Sequence, residues 1–325
     1  MIEVDRLMRL RRTQQIRDLC DEVQFTTSQL IQPLFVVDGI RGETPVSGLP
    51  DNPRMDVDTA VRRVEADLEA GVRHFLLFPV PATKAARDLD PSFAAHAIST
   101  LRAAYGDACT LWVDTCLCSS TDHGHCCVFG EHGQIDHEAT LELLSRSAVM
   151  YAQAGADGVS PSDMMDGRVA HIRRALDEAG FAATPIMSYS TKFASSFYGP
   201  FREAADSAPK FGDRKSYQID PRNRSDAIRA SVRCAQEGAD LLMVKPGLTS
   251  IDLIQPIRER TGLPVGAYQV SGEYAGLALL AEKGLIDFDR ALLETWYVFK
   301  RAGAQFVITY GARRAAAIGI KVQQS

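Results

Sequence analysis

The feature that most restricts this fold is a phrase that recurs along the chain. Four times a helical stretch ends at a glycine and passes within a few residues into a short apolar run. The phrases are AGVRHFLLF from Ala70, AGADGVS from Ala154, EGADLLMV from Glu237 and AGAQFVITY from Ala302. Glycine at a helix end closes it in a left-handed cap, so each phrase reads as helix, turn, buried strand. The candidate strands are 32–37, 74–80, 110–114, 158–161, 185–188, 241–245, 264–270 and 306–310. Helical spacing marks 58–70, 138–153, 167–178, 224–237, 251–261, 276–283 and 287–301 among the stretches between them. Eight strands alternating with helices predict an α/β protein, a (β/α)8 TIM barrel. An open doubly wound sheet has the same alternation, but no Gly-x-Gly-x-x-Gly follows the first strand to give its usual dinucleotide form. The turn-rich stretch 38–56 reads as a loop. Residues 1–28 are charged and weakly periodic, so they read as a partly helical N-terminal arm or a frayed terminus, with the barrel occupying 29–325.

A chain of 325 residues suits one α/β barrel, and 46% hydrophobic residues supply its core. Lys and Arg number 36 against 41 Asp and Glu, a net charge of −5, which argues against nucleic acid or an anionic membrane as a general partner. No window approaches the length of an apolar membrane span, and MIEVDRLMRLRRTQQIRDL lacks the apolar core of a secretory signal. A cytoplasmic location is expected.

A barrel carries its chemistry at the C-terminal ends of its strands. Those ends deliver Asp114, Cys116, Cys118, Ser160, Ser162, Lys192, Lys245, Ser271 and Tyr310 to one rim. Five of the seven cysteines lie between Cys109 and Cys127, a clustering that points to metal or redox chemistry rather than disulfides. Cys116, Cys118 and Cys126, spaced C-x-C-x7-C, bring three thiolates onto one loop. Three ligands leave a zinc ion an open position, whereas a fourth from His123, His125 or Cys127 would close the site and make it structural. Buried free cysteines without metal are the plainer alternative. A lone Lys192 reads most simply as solvated; a second lysine, Lys245, at an equivalent strand end changes that. Two amines in one pocket lower each other's pKa, and a neutral amine attacks a ketone to form a Schiff base. Arg202 and Arg214, on the long segment 193–218, suit capture of a carboxylate, and Ser271 and Tyr310 suit a second one by hydroxyl donation. Solvated arginines and ordinary strand-end hydrogen bonds are the alternatives.

MSYSTKFASSFYGPFREA, GDRKSYQ, GADLLMVKPG, GAYQVSGEYA and DTCLCSSTDHGHC together resemble the signatures of the porphobilinogen synthase (delta-aminolevulinic acid dehydratase) family, from about Arg9 onward. The resemblance implies a lyase of tetrapyrrole and heme synthesis that condenses two 5-aminolevulinate molecules asymmetrically to porphobilinogen with loss of two waters. It implies a homo-octamer in which the N-terminal arm grips a neighbouring subunit. Residue by residue, Lys245 matches the lysine holding the first, propionate-side substrate and Lys192 the lysine engaging the second. Cys116, Cys118 and Cys126 match a catalytic zinc site, one per subunit. Arg202, Arg214 and Gln218 match residues gripping the acetate-side carboxylate under a lid, Ser271 and Tyr310 the pair holding the propionate-side carboxylate, and Asp114 an aspartate near the reacting amine. Ala230 stands where many bacterial relatives carry a glutamate supporting an activating magnesium, so no such magnesium is expected. Ser216 replaces a cysteine used for a second zinc in some animal relatives, and Cys127 stands where glycine is usual. Two other functions fit part of the pattern: a class I aldolase-like lyase with one Schiff-base lysine and a structural zinc, and a non-catalytic zinc sensor.

Overall fold

The computed structural model describes residues 7–323. Eight strands lie in one parallel path: β1 Leu30–Val37, β2 His74–Val80, β3 Thr110–Thr115, β4 Gly158–Pro161, β5 Met187–Lys192, β6 Leu241–Lys245, β7 Val265–Gln269 and β8 Val307–Thr309. Their order is β4-β3-β2-β1-β8-β7-β6-β5. The circle is completed between β4 and β5 by a parallel bridge, Val159 to Ile186, with the Val159 N–H donating to the Pro185 carbonyl at 3.1 Å. Each strand is buried almost throughout, as parallel strands covered by helices must be. The expected (β/α)8 barrel is therefore present.

The helices start and stop for local reasons. Asp56, Asp136, Asn223 and Asp287 each accept the backbone N–H three residues on, capping Val57–Glu69, His137–Gln153, Arg224–Gln236 and Phe288–Arg301. Gly155 and Gly238 sit at φ +98° and +100° in the turns into β4 and β6, a conformation in which a Cβ is strained. A further helix, Ser92–Tyr105, fills the interval between β2 and β3.

Three expectations need correction. The 38–56 loop contains two short strands, Glu43–Thr44 and Arg54–Met55, which pair antiparallel while the second also pairs with β1. The helix expected over 276–283 starts at Ser271, so that residue opens a helix rather than ending a strand. The strand expected over 185–188 runs instead to Lys192. Ser188, Ser190 and Thr191 are polar, yet all three are fully buried. Thr191 Oγ1 bonds the Ala227 carbonyl at 3.0 Å and Ser231 Oγ at 2.9 Å, and Ser190 Oγ donates to the Met243 carbonyl at 3.3 Å. The hydroxyls are satisfied inside the molecule, so nothing drives the chain to the surface. The β5–β6 register also slips: Ser188 pairs with Leu242, but Thr191 pairs with Val244.

In the arm, Leu7–Arg11 forms a 3-10 turn and Gln14–Leu19 a short helix, and neither buries a side chain in its own barrel. Leu7, Met8, Leu10 and Leu19 are exposed. Residues 1–6 of the expected arm and 324–325 of the expected barrel lie outside the described residues. No helix among those described is long and apolar enough to cross a membrane.

Candidate active site

Strands β5 and β6 bring the two lysines side by side: Lys192 and Lys245 are register partners, so both side chains leave the same face of the sheet. They are 5% and 3% exposed. Lys245 Nζ sits among four rings, with centroid distances of 4.3 Å to Tyr268, 4.8 Å to Tyr189, 4.9 Å to Phe201 and 5.4 Å to Tyr198. Lys192 Nζ lies 5.6 Å from the same Tyr189 ring and donates to the Ser162 carbonyl after β4. Burial and then the neighbouring Lys192 charge lower the Lys245 pKa from 10.5 to about 7, against the opposing pull of Asp114. The two amines therefore share one chamber, and Lys245 has the neutral form at hand near neutral pH.

Asp114, near the end of β3, belongs to the same chamber. Burial and the Cys118 sulfur push its carboxyl up to about 6, while Lys192 and Lys245 pull it down. Its Oδ1 has no hydrogen-bond partner among the described residues.

The loop after β3 carries the cysteine trio. The sulfurs of Cys116, Cys118 and Cys126 all lie within 4.8 Å of one another, the Cys116–Cys118 pair at 3.4 Å. Thiols of Cys116 and Cys126 directed at Cys118, aided by Arg214 and Lys192, draw the Cys118 thiol well below its ordinary range. Three soft donors in reach of one ion fit zinc, and among the described residues no fourth ligand joins them. The His125 Nε2 donates to the Phe211 carbonyl at 2.9 Å and its Nδ1 meets the Tyr217 hydroxyl at 3.0 Å, so both ring nitrogens are engaged. Cys127 turns away to pack with Leu141 and Met165. His123 Nδ1 accepts the His125 N–H at 3.1 Å. Among the described residues the trio is the one group of three or more possible ligands.

The connection from β5 to the Arg224–Gln236 helix roofs the chamber. It includes a 3-10 turn, Ser196–Tyr198, and a short helix, Gly199–Ala204, and it delivers Tyr198 and Phe201 to Lys245. Arg202 Nε, Arg214 Nε and Gln218 Nε2 are buried donors without partners among the described residues. Burial and the nearby Arg214 charge lower the Arg202 pKa. Desolvated cationic donors with unused hydrogens are suited to an anion. Ser271 accepts the Phe201 N–H at 3.0 Å and donates to the Phe197 carbonyl at 3.3 Å, clasping this roof to the helix it opens. Tyr310 bonds Tyr268, hydroxyl to hydroxyl, at 3.2 Å. Gly272 permits the close approach: a Cβ there would lie 2.6 Å from the Phe197 carbonyl oxygen.

Sequence reasoning missed the aromatic box and its supports. Tyr189 lies in the middle of β5 and Tyr268 near the C-terminal end of β7, so only Tyr268 gave a strand-end signal; Tyr198 and Phe201 arrive through the roof and carried none. It also missed Arg168, which is buried with Asp163 at 3.6 Å and donates to the Tyr189 carbonyl at 3.1 Å where the β5 register slips.

Comparison with known proteins gives the chain a family. The model of the delta-aminolevulinic acid dehydratase family matches residues 4–318. The delta-aminolevulinic acid dehydratase of Halalkalibacterium halodurans is 45% identical over 95% of this chain and 94% of its own. That of Synechococcus elongatus is 43% identical over 97% and 99%. A Toxoplasma gondii delta-aminolevulinic acid dehydratase (porphobilinogen synthase), solved in complex with the reaction product porphobilinogen, superimposes with a TM-score of 0.94 at 41% identity, covering 97% of this chain and 92% of that one. Dihydropteroate synthase of Yersinia pestis, at 12% identity and a TM-score of 0.50, shares the fold alone. With relatives of this closeness along nearly its whole length, the chain belongs to the delta-aminolevulinic acid dehydratase family, enzymes of the hydro-lyase class.

Proposed function

We propose that this protein condenses two molecules of 5-aminolevulinate to porphobilinogen with loss of two waters, using Lys245 and Lys192 as Schiff-base residues. The observation that carries this reading is the pair of buried amines in one chamber, one with a pKa near neutrality. The neutral Lys245 amine attacks the ketone of the first substrate and expels one water; the resulting imine is held near Ser271 and Tyr310, whose hydroxyls turn from the Phe197 carbonyl and Tyr268 to its carboxylate. Linking the ketone to the strand ends its free diffusion and makes the adjacent carbon acidic. Lys192 engages the ketone of the second substrate, whose carboxylate meets the unused donors of Arg202, Arg214 and Gln218. Asp114, with a pKa of about 6, takes and returns protons near the reacting amine. The roof excludes water, which favours dehydration.

Cys116, Cys118 and Cys126 would hold zinc, one ion per subunit. When bound, zinc would supply a Lewis acid for a substrate carbonyl or amine. Two soluble 5-aminolevulinate molecules are the small-molecule partners, and the setting is cytoplasmic. The arm, whose described part leaves Leu7, Met8 and Leu10 exposed, docks on a neighbouring subunit in a homo-octamer. Ala230 offers no carboxylate, so activating magnesium is not required there. Borohydride reduction in the presence of 5-aminolevulinate, followed by peptide mass analysis, tests the reading: substrate mass is expected on Lys245, and on Lys192 at higher substrate. Absence of adduct from Lys245 overturns it, and an adduct on Lys245 that turns over without a second substrate favours the aldolase-like alternative.

A further inference from the structure

We propose that Tyr217 and His125 are positioning residues that couple the roof segment 207–218 to the cysteine trio, so that metal in the trio and substrate under the roof strengthen each other's binding. The inference rests on the zinc reading of the trio and extends it to the roof.

The stretch 123–126, which ends on the last thiol of the trio, is joined to the roof at every residue. Lys210 N–H donates to the His123 carbonyl at 3.0 Å. Arg214 Nη2 donates to the Gly124 carbonyl at 2.8 Å. His125 Nε2 bonds the Phe211 carbonyl, and the Cys126 N–H reaches the Tyr217 hydroxyl at 3.4 Å. The hydrogen positions follow from the partners. A carbonyl only accepts, so His125 carries its proton on Nε2; Nδ1 is then an acceptor, and the Tyr217 hydroxyl donates to it. One run of donors thus passes from Cys126 through Tyr217 and His125 to Phe211, with the His125 and Phe211 rings 4.7 Å apart. The contact also depends on backbone shape. At Gly124, φ is +73° and a Cβ would stand 2.3 Å from the Ala208 carbonyl oxygen, so the roof backbone comes as near as glycine allows.

Arg214 joins the two functions in one side chain: it bonds the Gly124 and Ser207 carbonyls while its Nε remains free for a ligand. A metal that fixes Cys126 therefore orders the frame on which Arg214, Tyr217 and Gln218 are mounted. By thermodynamic reciprocity, anything that holds the roof down raises metal affinity by the same factor.

The test is hydrogen exchange across 207–218 with and without zinc, with zinc affinity measured by competition against a chromogenic chelator. The proteins are the wild type, Tyr217→Phe and Cys118→Ala. Zinc is expected to slow exchange of the segment in the wild type. Tyr217→Phe, which deletes the hydroxyl but keeps the ring, should lose most of that slowing and bind zinc about tenfold more weakly, the value of one or two hydrogen bonds. The zinc-free variant should melt a few degrees below wild type because two buried partners lose the hydroxyl; a further loss that appears only in the zinc-loaded protein separates coupling from a merely structural role. His125→Gln approaches the same bond from the other side and replaces Tyr217→Phe if that variant does not fold. Zinc that binds wild type tightly yet leaves the segment's exchange unaltered, or slows it equally in the variants, overturns the coupling and leaves the trio reading standing. Wild type that binds no zinc, or binds it no better than Cys118→Ala, overturns the trio reading and the coupling with it.

Discussion

Replacing Lys192 with methionine tests whether the acidity of Lys245 comes from the named causes. Methionine keeps the chamber apolar and nearly full, so the burial cause remains, while the like charge disappears. Lys245 stands at about 7 against an ordinary 10.5, with burial the larger cause and Lys192 the second. Two charges sharing a buried chamber interact by a few kcal/mol at an effective dielectric near 20, so losing one raises the Lys245 pKa by about one to two. At pH 7 the wild-type amine is about half neutral; with a pKa near 8.5 only about 0.03 of it is, a roughly fifteenfold drop in the form that attacks a ketone. The assay is the initial rate of borohydride-trapped 5-aminolevulinate on Lys245, followed by peptide mass from pH 6 to pH 10. A single substrate isolates this step from the later condensation. The deficit should be about fifteenfold at pH 7 and vanish near pH 10, where the Lys245 amine is neutral in wild type and variant alike. A deficit that is the same at every pH, or a wild-type midpoint near 10.5, would refute the electrostatic account.

Three more outcomes are expected. Cys118→Ala should lose zinc and turnover while retaining circular dichroism and melting behaviour, because the trio lies on a loop outside the barrel strands. Gly272→Ala should push Phe197 and the roof turn outward, raising the substrate concentration needed for half-maximal rate more than it lowers the maximal rate; an unchanged KM would contradict the close approach at Phe197. Glu273 accepts Leu248 N–H on one carboxylate oxygen and Val270 N–H on the other, each at 2.8 Å. Above pH 7, where the native carboxylate is ionised, Glu273→Gln sets an amide N–H against one of them and should cost about 1–3 kcal/mol, read as a lower denaturant midpoint. The sign with pH is also set: burial raises this carboxyl to about 7, so the native state holds its proton more firmly than the unfolded chain, and stability from this group is full below about 4.5 and lost as pH rises through 7.

The sequence made much of this legible, because the strong signals are local. Helix end, glycine and apolar run lie within a few residues of each other, and the barrel follows from their repetition. The C-x-C-x7-C spacing confined three sulfurs to one loop, and the strand ends named both lysines. What stayed hidden depends on distant partners. The expected strand at β5 ends at Ser188 because the acceptors that satisfy Ser190 and Thr191, at Met243 and Ala227, lie on other elements. His125 remained a possible fourth ligand until the roof at Phe211 and Tyr217 used both its nitrogens. Tyr198 and Phe201 gave no periodic sign, since a connecting segment folds them back over Lys245. Ser271 was assigned to a strand end although it opens a helix, because a glycine at 272 hid the start of that helix.

The register slip in β5 has a consequence for what can change in this chain. Between the pairs Ser188–Leu242 and Thr191–Val244, β5 spends three residues while β6 spends two. Side chains alternate between the two surfaces of a strand, so this one surplus residue decides the parity of everything after it. Remove either Tyr189 or Ser190 and the same lysine would be carried outward to the helices, leaving Lys245 alone inside. That short stretch is therefore constrained by its count before its composition: an exchange of side chains there alters the chamber, whereas a change of length by one dismantles the amine pair.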